Sequence, residues 1–385
     1  MKPIRVVTQD FELLTELDRY TSAIVERDWR GVGELELRIN RHTRDAHLLQ
    51  KGVVLMVGGD TSKVFIIRRR EIELDQDGKA SEVWNIRAPA LKSILSQRLT
   101  LPPSHTSYDN RQGPAETVMK HYVERNVVDP DDSERQIEKI HVTDNEEKGE
   151  TLQWRSRYKN LAEELEDQSK ASGMGWNVVL NIAEQRWDFV VLEGKDLTTS
   201  QSDNPPVIFS PQFDSLKSMN FYEDDTDYRN AAYVGGQGEG TERRFVEVGG
   251  GEGLERYETF VDARDVDEEE EDEEGEDQPR PEEDIIEELE NRGERELRDR
   301  EQEVFLEGDI LQQSPFTYET DYDLGDIVTL QNKDWGVTID ARITMIREVY
   351  EPDGFSLEAV FGDDRPTLIK KIKQDMKQSS AEVRR

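Results

Sequence analysis

A chain of 385 residues with a formal net charge of −36, 35% charged and 34% hydrophobic residues has room for about two to four domains, with thin cores or an unusually charged surface. That charge argues against a protein that grips the outside of a nucleic acid or an anionic membrane, since both need clusters of Lys and Arg. The lack of cysteine excludes disulfides, thiolate metal sites and a Cys nucleophile. No run reaches the about 18 apolar residues of a membrane span, and Met1-Lys2-Pro3-Ile4-Arg5 opens no signal peptide, so the chain reads as soluble and not visibly exported.

Residues 1–98 read as a β-domain. Glu34 to Ile39 alternates strictly, placing Leu35, Leu37 and Ile39 on one face. Val53–Val57, Lys63–Ile67, Glu71–Leu74 and Glu82–Ile86 add strands, with turns at Gly58-Gly59-Asp60 and Asp75 to Gly78. Short strands at this spacing predict a barrel or sandwich, with Trp29 and Trp84 in its core. Leu91, Ile94 and Leu95 predict a short helix ending near Arg98.

Residues 99–205 read as an inserted α/β module. Ala115, Val118, Met119, Tyr122 and Val123 share one helical face after Gly113-Pro114. Tyr158, Leu161, Ala162 and Leu165 repeat the spacing in a helix closed near Ser172-Gly173, and strands Trp176–Ile182 and Trp187–Leu192 follow. The polar stretch Thr198–Pro206 closes the module.

Residues 206–264 begin a second β-domain. Ala231 to Val234 runs into Gly235-Gly236-Gln237-Gly238-Glu239-Gly240, leaves through Arg243 to Val248, meets a second glycine cluster at Gly249 to Gly253, and returns through Tyr257 to Val261. β-prone runs joined by glycines predict antiparallel hairpins, because glycine takes the positive φ of tight reversals. Residues 265–305 read as an acidic linker and helix. Asp265 to Asp277 holds 11 acids, a block that stays solvated and disordered through like-charge repulsion. Pro279-Arg280-Pro281 then starts a helix with Ile285, Ile286 and Leu289 on one face, weakened at Gly293 and resuming over Leu297–Phe305. Residues 306–385 return to β: Val337, Ile339, Ala341 and Ile343 alternate, as do Phe355, Leu357, Ala359 and Phe361, before a basic helix at Thr367–Met376.

The acidic run does not account for the charge by itself, since Asp265–Asp284 holds 14 acids and one Arg. The basic residues are skewed to 33 Arg against 17 Lys. A globally acidic, lysine-poor surface suits a protein that stays hydrated in molar salt, where screening removes self-repulsion, and points to a halophilic source.

Chemistry is harder to find. His42, His47, His105, His121 and His141 make no zinc spacing, and no phosphate-cradling glycine loop or nucleophile elbow is present. Pairs such as Glu163 with Glu164, or Asp224 with Asp225 and Asp227, carry no weight among 86 acids. Asp321-x-Asp323-x-Gly325-Asp326 departs from a calcium loop in its glycine position and lacks the distal Glu. No catalytic, cofactor-binding or metal residue is assigned. Gly235, Gly236, Gly238, Gly240, Asp321, Asp323, Gly325 and Asp326 are assigned instead as turn elements that set strand register or take part in assembly.

Those same stretches resemble a known family. Asp321 to Val328, the strand ending in Ala341-Arg342-Ile343, Phe361-Gly362 and Thr367-Leu368 before a terminal helix resemble the C-terminal segment of long-tailed phage tail hub proteins. Tyr233–Gly240, Glu258–Arg264, Val207–Ser210, Glu26-Arg27-Asp28 before Gly33-Glu34-Leu35, and Leu48-Leu49 resemble the same family in the same order. The resemblance implies a β-rich α+β fold of two tube-type β-barrel domains with an inserted small α/β module and a C-terminal helix. It implies a structural, non-enzymatic homotrimer without cofactors at the virion tail tip or baseplate, made in the host cytoplasm. Its ring would join the tail tube and distal tail protein to a threefold tip or fibre, beside the tape-measure protein, and leave a negative channel through which DNA slides unbound. The acidic insert departs from the family, and the chain stops without the lysin or fibre extension of some relatives. The alternatives are a tail-associated peptidase or glycosidase that degrades the cell envelope, and an acidic DNA mimic.

Overall fold

The computed structural model describes residues 1–73, 81–240, 243–271, 277–311 and 313–362. The protein is β-rich α+β, and its described residues fall into two compact units, 1–220 with 306–362, and 221–305. These units cut across the intervals read from composition.

In the first unit, Leu13–Leu17, Ile4–Val7, Val54–Val57 and Val64–Ile66 form a four-stranded antiparallel sheet in that order. Its strands Val54–Val57 and Val64–Ile66 are buried on both faces, whereas Leu13–Leu17 is largely exposed. Leu55 and Val57 point into one core with Leu35, Leu37 and Ile39. Val54 and Met56 point into another with Leu161, Leu165, Trp176 and Phe189. Double-sided burial explains why Val54-Leu55-Met56-Val57 is an unbroken apolar run where Glu34–Asn40 alternates.

A larger sheet runs through Gly354–Gly362, Val337–Glu351, Ser22–Asp28, Glu34–Asn40, Val83–Pro89 and Arg69–Glu71. Strands from the two ends of the chain therefore pair directly, with Val25 opposite Glu348 and Arg27 opposite Ile346. The 15-residue strand Val337–Glu351 is bulged between Ile343 and Met345. Before the bulge it pairs with Ile327–Asn332, beyond it with Ser22–Asp28. The sheets are open ladders, and no closed barrel is found among the described residues.

Helix α1, Ala115–Val123, starts after Pro114 as its apolar spacing predicts. Helix α2, Leu161–Ser172, starts later than predicted, because the Asn160 side chain accepts hydrogen bonds from the Ala162 and Glu163 amides and caps it there. Tyr158, expected on α2, stands before it, exposed and at φ +52°. Gly173, at φ +73°, closes α2.

In the second unit Ala231–Gly235 pairs antiparallel with Phe245–Gly249, as expected of a glycine hairpin. The next strand, Glu258–Asp262, does not reverse back on its predecessor; it crosses over and lies parallel to Ala231–Gly235 on the other side. Asn230 makes the crossover. Its side chain donates to Glu255 O (2.7 Å) and accepts from Tyr257 N (2.9 Å), while its carbonyl accepts from Gly250 N (2.8 Å). Helix α3, Glu282–Arg298, covers one face of this sheet through Ile285, Leu289 and Gly293. It runs through Gly293 unbroken and does not resume over Leu297–Phe305, because Glu303–Ile310 is a strand. Within the acidic run, Glu269–Glu271 pairs with Asp277–Pro279 where solvated chain was expected. The predicted turn Asp75 to Gly78 and helix Thr367–Met376 lie outside the described residues.

Candidate functional site

Trp29 goes to the interior, as expected of it. It is buried at 3% exposure in a nest of backbone. A Cβ on Gly175 would stand 2.5 Å from its ring, and one on Gly325 only 2.1 Å. A Cβ on Gly194 would stand 1.8 Å from the Gly325 carbonyl oxygen. The indole Nε1 donates to Gly173 O (3.0 Å), and the Trp29 amide donates to Thr344 O (2.9 Å) at the bulge of the long strand. Only glycine admits such approaches. Trp84 instead lies half-buried at the rim of the first core, under the Arg70 guanidinium at 4.4 Å.

The Asp321–Asp326 turn forms the other side of this nest. Asp321 accepts from Thr317 N (2.7 Å). Asp323 takes a charge-assisted bond from Arg27 Nη1 (2.7 Å) and its own amide donates to Asp326 (2.8 Å). Gly325, at φ +94°, donates to Ile343 O (2.8 Å), and its carbonyl accepts from the Arg342 guanidinium. Asp326 accepts from Lys195 N (2.8 Å), and burial pushes its carboxyl above the ordinary range. Asp323, Gly325 and Asp326 thus tie together the strand Ser22–Asp28, the segment around Gly194 and Lys195, and the long strand, while Asp321 bonds locally. This is a cross-chain clasp.

Beside it lies a buried ion cluster that the sequence reading missed. Lys63 and Glu348 are both fully buried and paired, and Glu319 also contacts Lys63. Tyr318 donates to Glu348 (2.9 Å), as does Tyr350, and Arg27 donates to Tyr318 (2.6 Å). Burial opposes ionisation of Glu348, but Lys63 and the hydroxyl donors outweigh it and hold the carboxyl below its ordinary value. The available signals were one lysine heading the apolar run Val64 to Ile67 and one glutamate just before Val349-Tyr350.

A cleft of about 330 Å³ opens at this junction, lined among others by Arg27, Asp28, Lys92, Asn177, Lys195 and Asp323. Lys92 is buried, donates to Asp28 O (2.8 Å) and Trp176 O (3.1 Å), and has its pKa pushed down to about 8, chiefly by burial. Among the described residues, no group of three or more His, Cys, Asp or Glu side chains is placed to hold a metal ion. Of the acidic pairs considered, Glu164 is buried and accepts from Trp154 Nε1 (2.7 Å), while Asp224 accepts from Tyr222 (2.6 Å) and Thr226 N (2.9 Å).

The Gly235–Gly240 turn lies in the other unit. The Arg243 side chain occupies the space a Cβ on Gly235 would take, 2.8 Å away, and donates to Gly235 O and Gly236 O (both 2.9 Å) and to Asp262 (2.5 Å). Gly236 would meet Leu289 at 3.3 Å. Gly238 and Gly240 take φ +98° and +59°. Gly235 is thus set by the close approach of Arg243, and Gly238 and Gly240 by their positive φ.

This fold is that of phage tail proteins. It is similar to the 43 kDa tail protein of prophage MuSo2 from Shewanella oneidensis, with TM-score 0.58 and 12% identity over 94% of this chain and 98% of that one. The tail protein of Neisseria meningitidis MC58 gives TM-score 0.54 and 11% identity over 94% and 97%. Prophage tail protein gp18 of Listeria monocytogenes EGD-e gives 0.53 and 12% over 98% and 99%. Among curated proteins, none matches the chain. The family model for the siphovirus ReqiPepy6 Gp37-like protein matches residues 3–363, and the chain belongs to that siphovirus tail-protein family.

Proposed function

We propose that the protein is a structural hub subunit of a tailed-virus tail tip or baseplate. Three copies close a ring that adapts the tail tube and distal tail protein to a threefold tip or fibre. The observation that carries this reading is the family match over residues 3–363 together with a fold shared end to end with prophage tail proteins. Charge supports it, since a lumen lined by a chain of net charge −36 repels phosphates and lets a genome slide. The clasp at Asp321–Asp326 suits a load-bearing part, because it fixes strands far apart in the sequence.

Two measurements test the proposal. Purified protein is examined by light scattering and negative-stain imaging in molar and in low salt, and intact virions are labelled with antibody. The expected result is a threefold ring with a central hole, best preserved in high salt, and label at the distal end of the tail. Absence of the protein from virions overturns it.

A further inference from the structure

Two ammonium groups line the cleft beside the clasp without a counter-ion. Lys92 is 3% exposed, and a lysine carries three N–H donors. Two of them are spent on the Asp28 and Trp176 carbonyls (2.8 and 3.1 Å). The Trp176 ring, 4.5 Å from Nζ, adds cation–π support without cancelling the charge. Among the described residues no carboxylate pairs with Lys92, and none pairs with Lys195, which is exposed on the same cleft. A buried ammonium without a partner is costly.

The nearby aspartates are already engaged. Asp28 accepts from the Arg30 and Gly31 amides (2.8 and 2.7 Å), and Asp323 takes the Arg27 guanidinium (2.7 Å). Asp326 accepts from the Lys195 and Asp323 amides (both 2.8 Å). What the cleft lacks is therefore an anion. Its size and walls narrow the choice. About 330 Å³ is at the small end of ligand sites, and Phe65, Trp176 and Leu324 give it an apolar lining. The exposed Glu193 on the same cleft disfavours a dianion such as phosphate.

We infer that this cleft binds a single carboxylate carried on a small apolar stem, with Lys92 pairing it inside and Lys195 pairing it at the exposed edge. The carboxylate takes the third Lys92 N–H and supplies the missing charge, while the stem lies against the apolar lining. A free organic acid and the C-terminus of a peptide present the same chemistry. The site lies within one compact unit and is independent of the ring proposed above.

Calorimetric titration of the full chain with phenylacetate and with acetyl-glycyl-leucine, each beside its neutral amide, tests the site. The expected result is that at least one acid binds about tenfold or more tightly than its amide. Lys92→Met abolishes that binding, and Lys195→Gln, on the exposed edge, weakens it about threefold. Circular dichroism checks that both variants are folded. Tighter binding of phenylacetate names a free acid as the source of the carboxylate; tighter binding of the dipeptide names a peptide terminus. Burial pushes the Lys92 pKa down to about 8, with Asp28 and Glu166 favouring its charged form and Arg27 opposing it. Affinity should therefore fall about tenfold from about pH 7 to about pH 9. Failure of both acids to bind overturns the site, as does an amide that binds as well as its acid or an affinity unchanged by Lys92→Met.

Discussion

Gly325 lies against the face of Trp29 so closely that a Cβ there would sit 2.1 Å from the ring. The two residues are held on separate elements, the Asp321–Asp326 turn and the end of the strand Ser22–Asp28, and each fixes the other's place. The contact is a lock between the two ends of the chain, and it has no slack, since Gly325 is also at φ +94°.

Gly325→Ala is therefore expected to destabilise the first unit by about 3 kcal/mol, combining overpacking with left-handed strain. Gly175→Ala, at an ordinary φ but 2.5 Å from the same ring, is expected to cost about 1–3 kcal/mol by overpacking alone. Denaturant midpoints followed by tryptophan fluorescence check both. Equal stability of Gly325→Ala and wild type overturns the lock.

The buried Lys63–Glu348 pair gives a second prediction. Lys63→Met leaves the buried Glu348 carboxylate without its ion partner and is expected to cost about 3–5 kcal/mol, whereas Lys63→Met with Glu348→Leu costs less than the sum of the two single changes. The pH sign follows from the depressed Glu348 carboxyl. Its stabilisation is present above the unfolded value of about 4.3 and is lost as pH falls through the folded one. The stability gap between wild type and Glu348→Gln should therefore shrink in acid, as urea titrations at successive pH values would record.

Lys92 acts with the opposite sign. Its folded pKa of about 8 lies below the unfolded value of about 10.4, so the folded chain binds fewer protons between them. Stability rises with pH across that window, and the penalty of the buried charge is complete below about 8. Relative to Lys92→Met, wild type is expected to gain stability from pH 8 to 10. A flat difference in Tm across the window refutes this.

In the second unit, Gly293→Ala separates helix propensity from packing. In an exposed helix this change stabilises by roughly 1 kcal/mol. Here the new methyl would stand 2.7 Å from Val234 Cγ2 and 2.8 Å from Val248 Cγ2, so destabilisation by about 1–3 kcal/mol is expected. Thermal melts of the full chain decide the sign.

The turn glycines carry the last prediction, tied to the proposed ring. Gly238→Val forces a β-branched residue to φ +98° and is expected to reduce folded yield or ring formation. Wild-type assembly of this variant removes the Gly235–Gly240 turn from the argument.

Much of the local structure was legible from periodicity. Leu35, Leu37 and Ile39 went to the core as their alternation required, and α1 began after Pro114. These features depend on neighbours a few residues away, so a sequence states them directly. The C-cap at Gly173 is of the same kind. Within Asp321–Asp326, Asp321 and Asp326 accept from the nearby Thr317 and Asp323 amides.

What that turn grips was decided only in three dimensions. Nothing in one strand announces that Ser22–Asp28 pairs with Val337–Glu351, nor that glycines 175 and 325 converge on one indole. The parallel return of Glu258–Asp262 and the unbroken course of α3 through Gly293 likewise follow from what each segment meets across the unit. Long-range pairing depends on loop closure and shared burial, which leave no periodic mark. The sequence determined a β-rich, acidic, cysteine-free chain and where most of its strands and helices lie. The tertiary structure decided which of them are locked together.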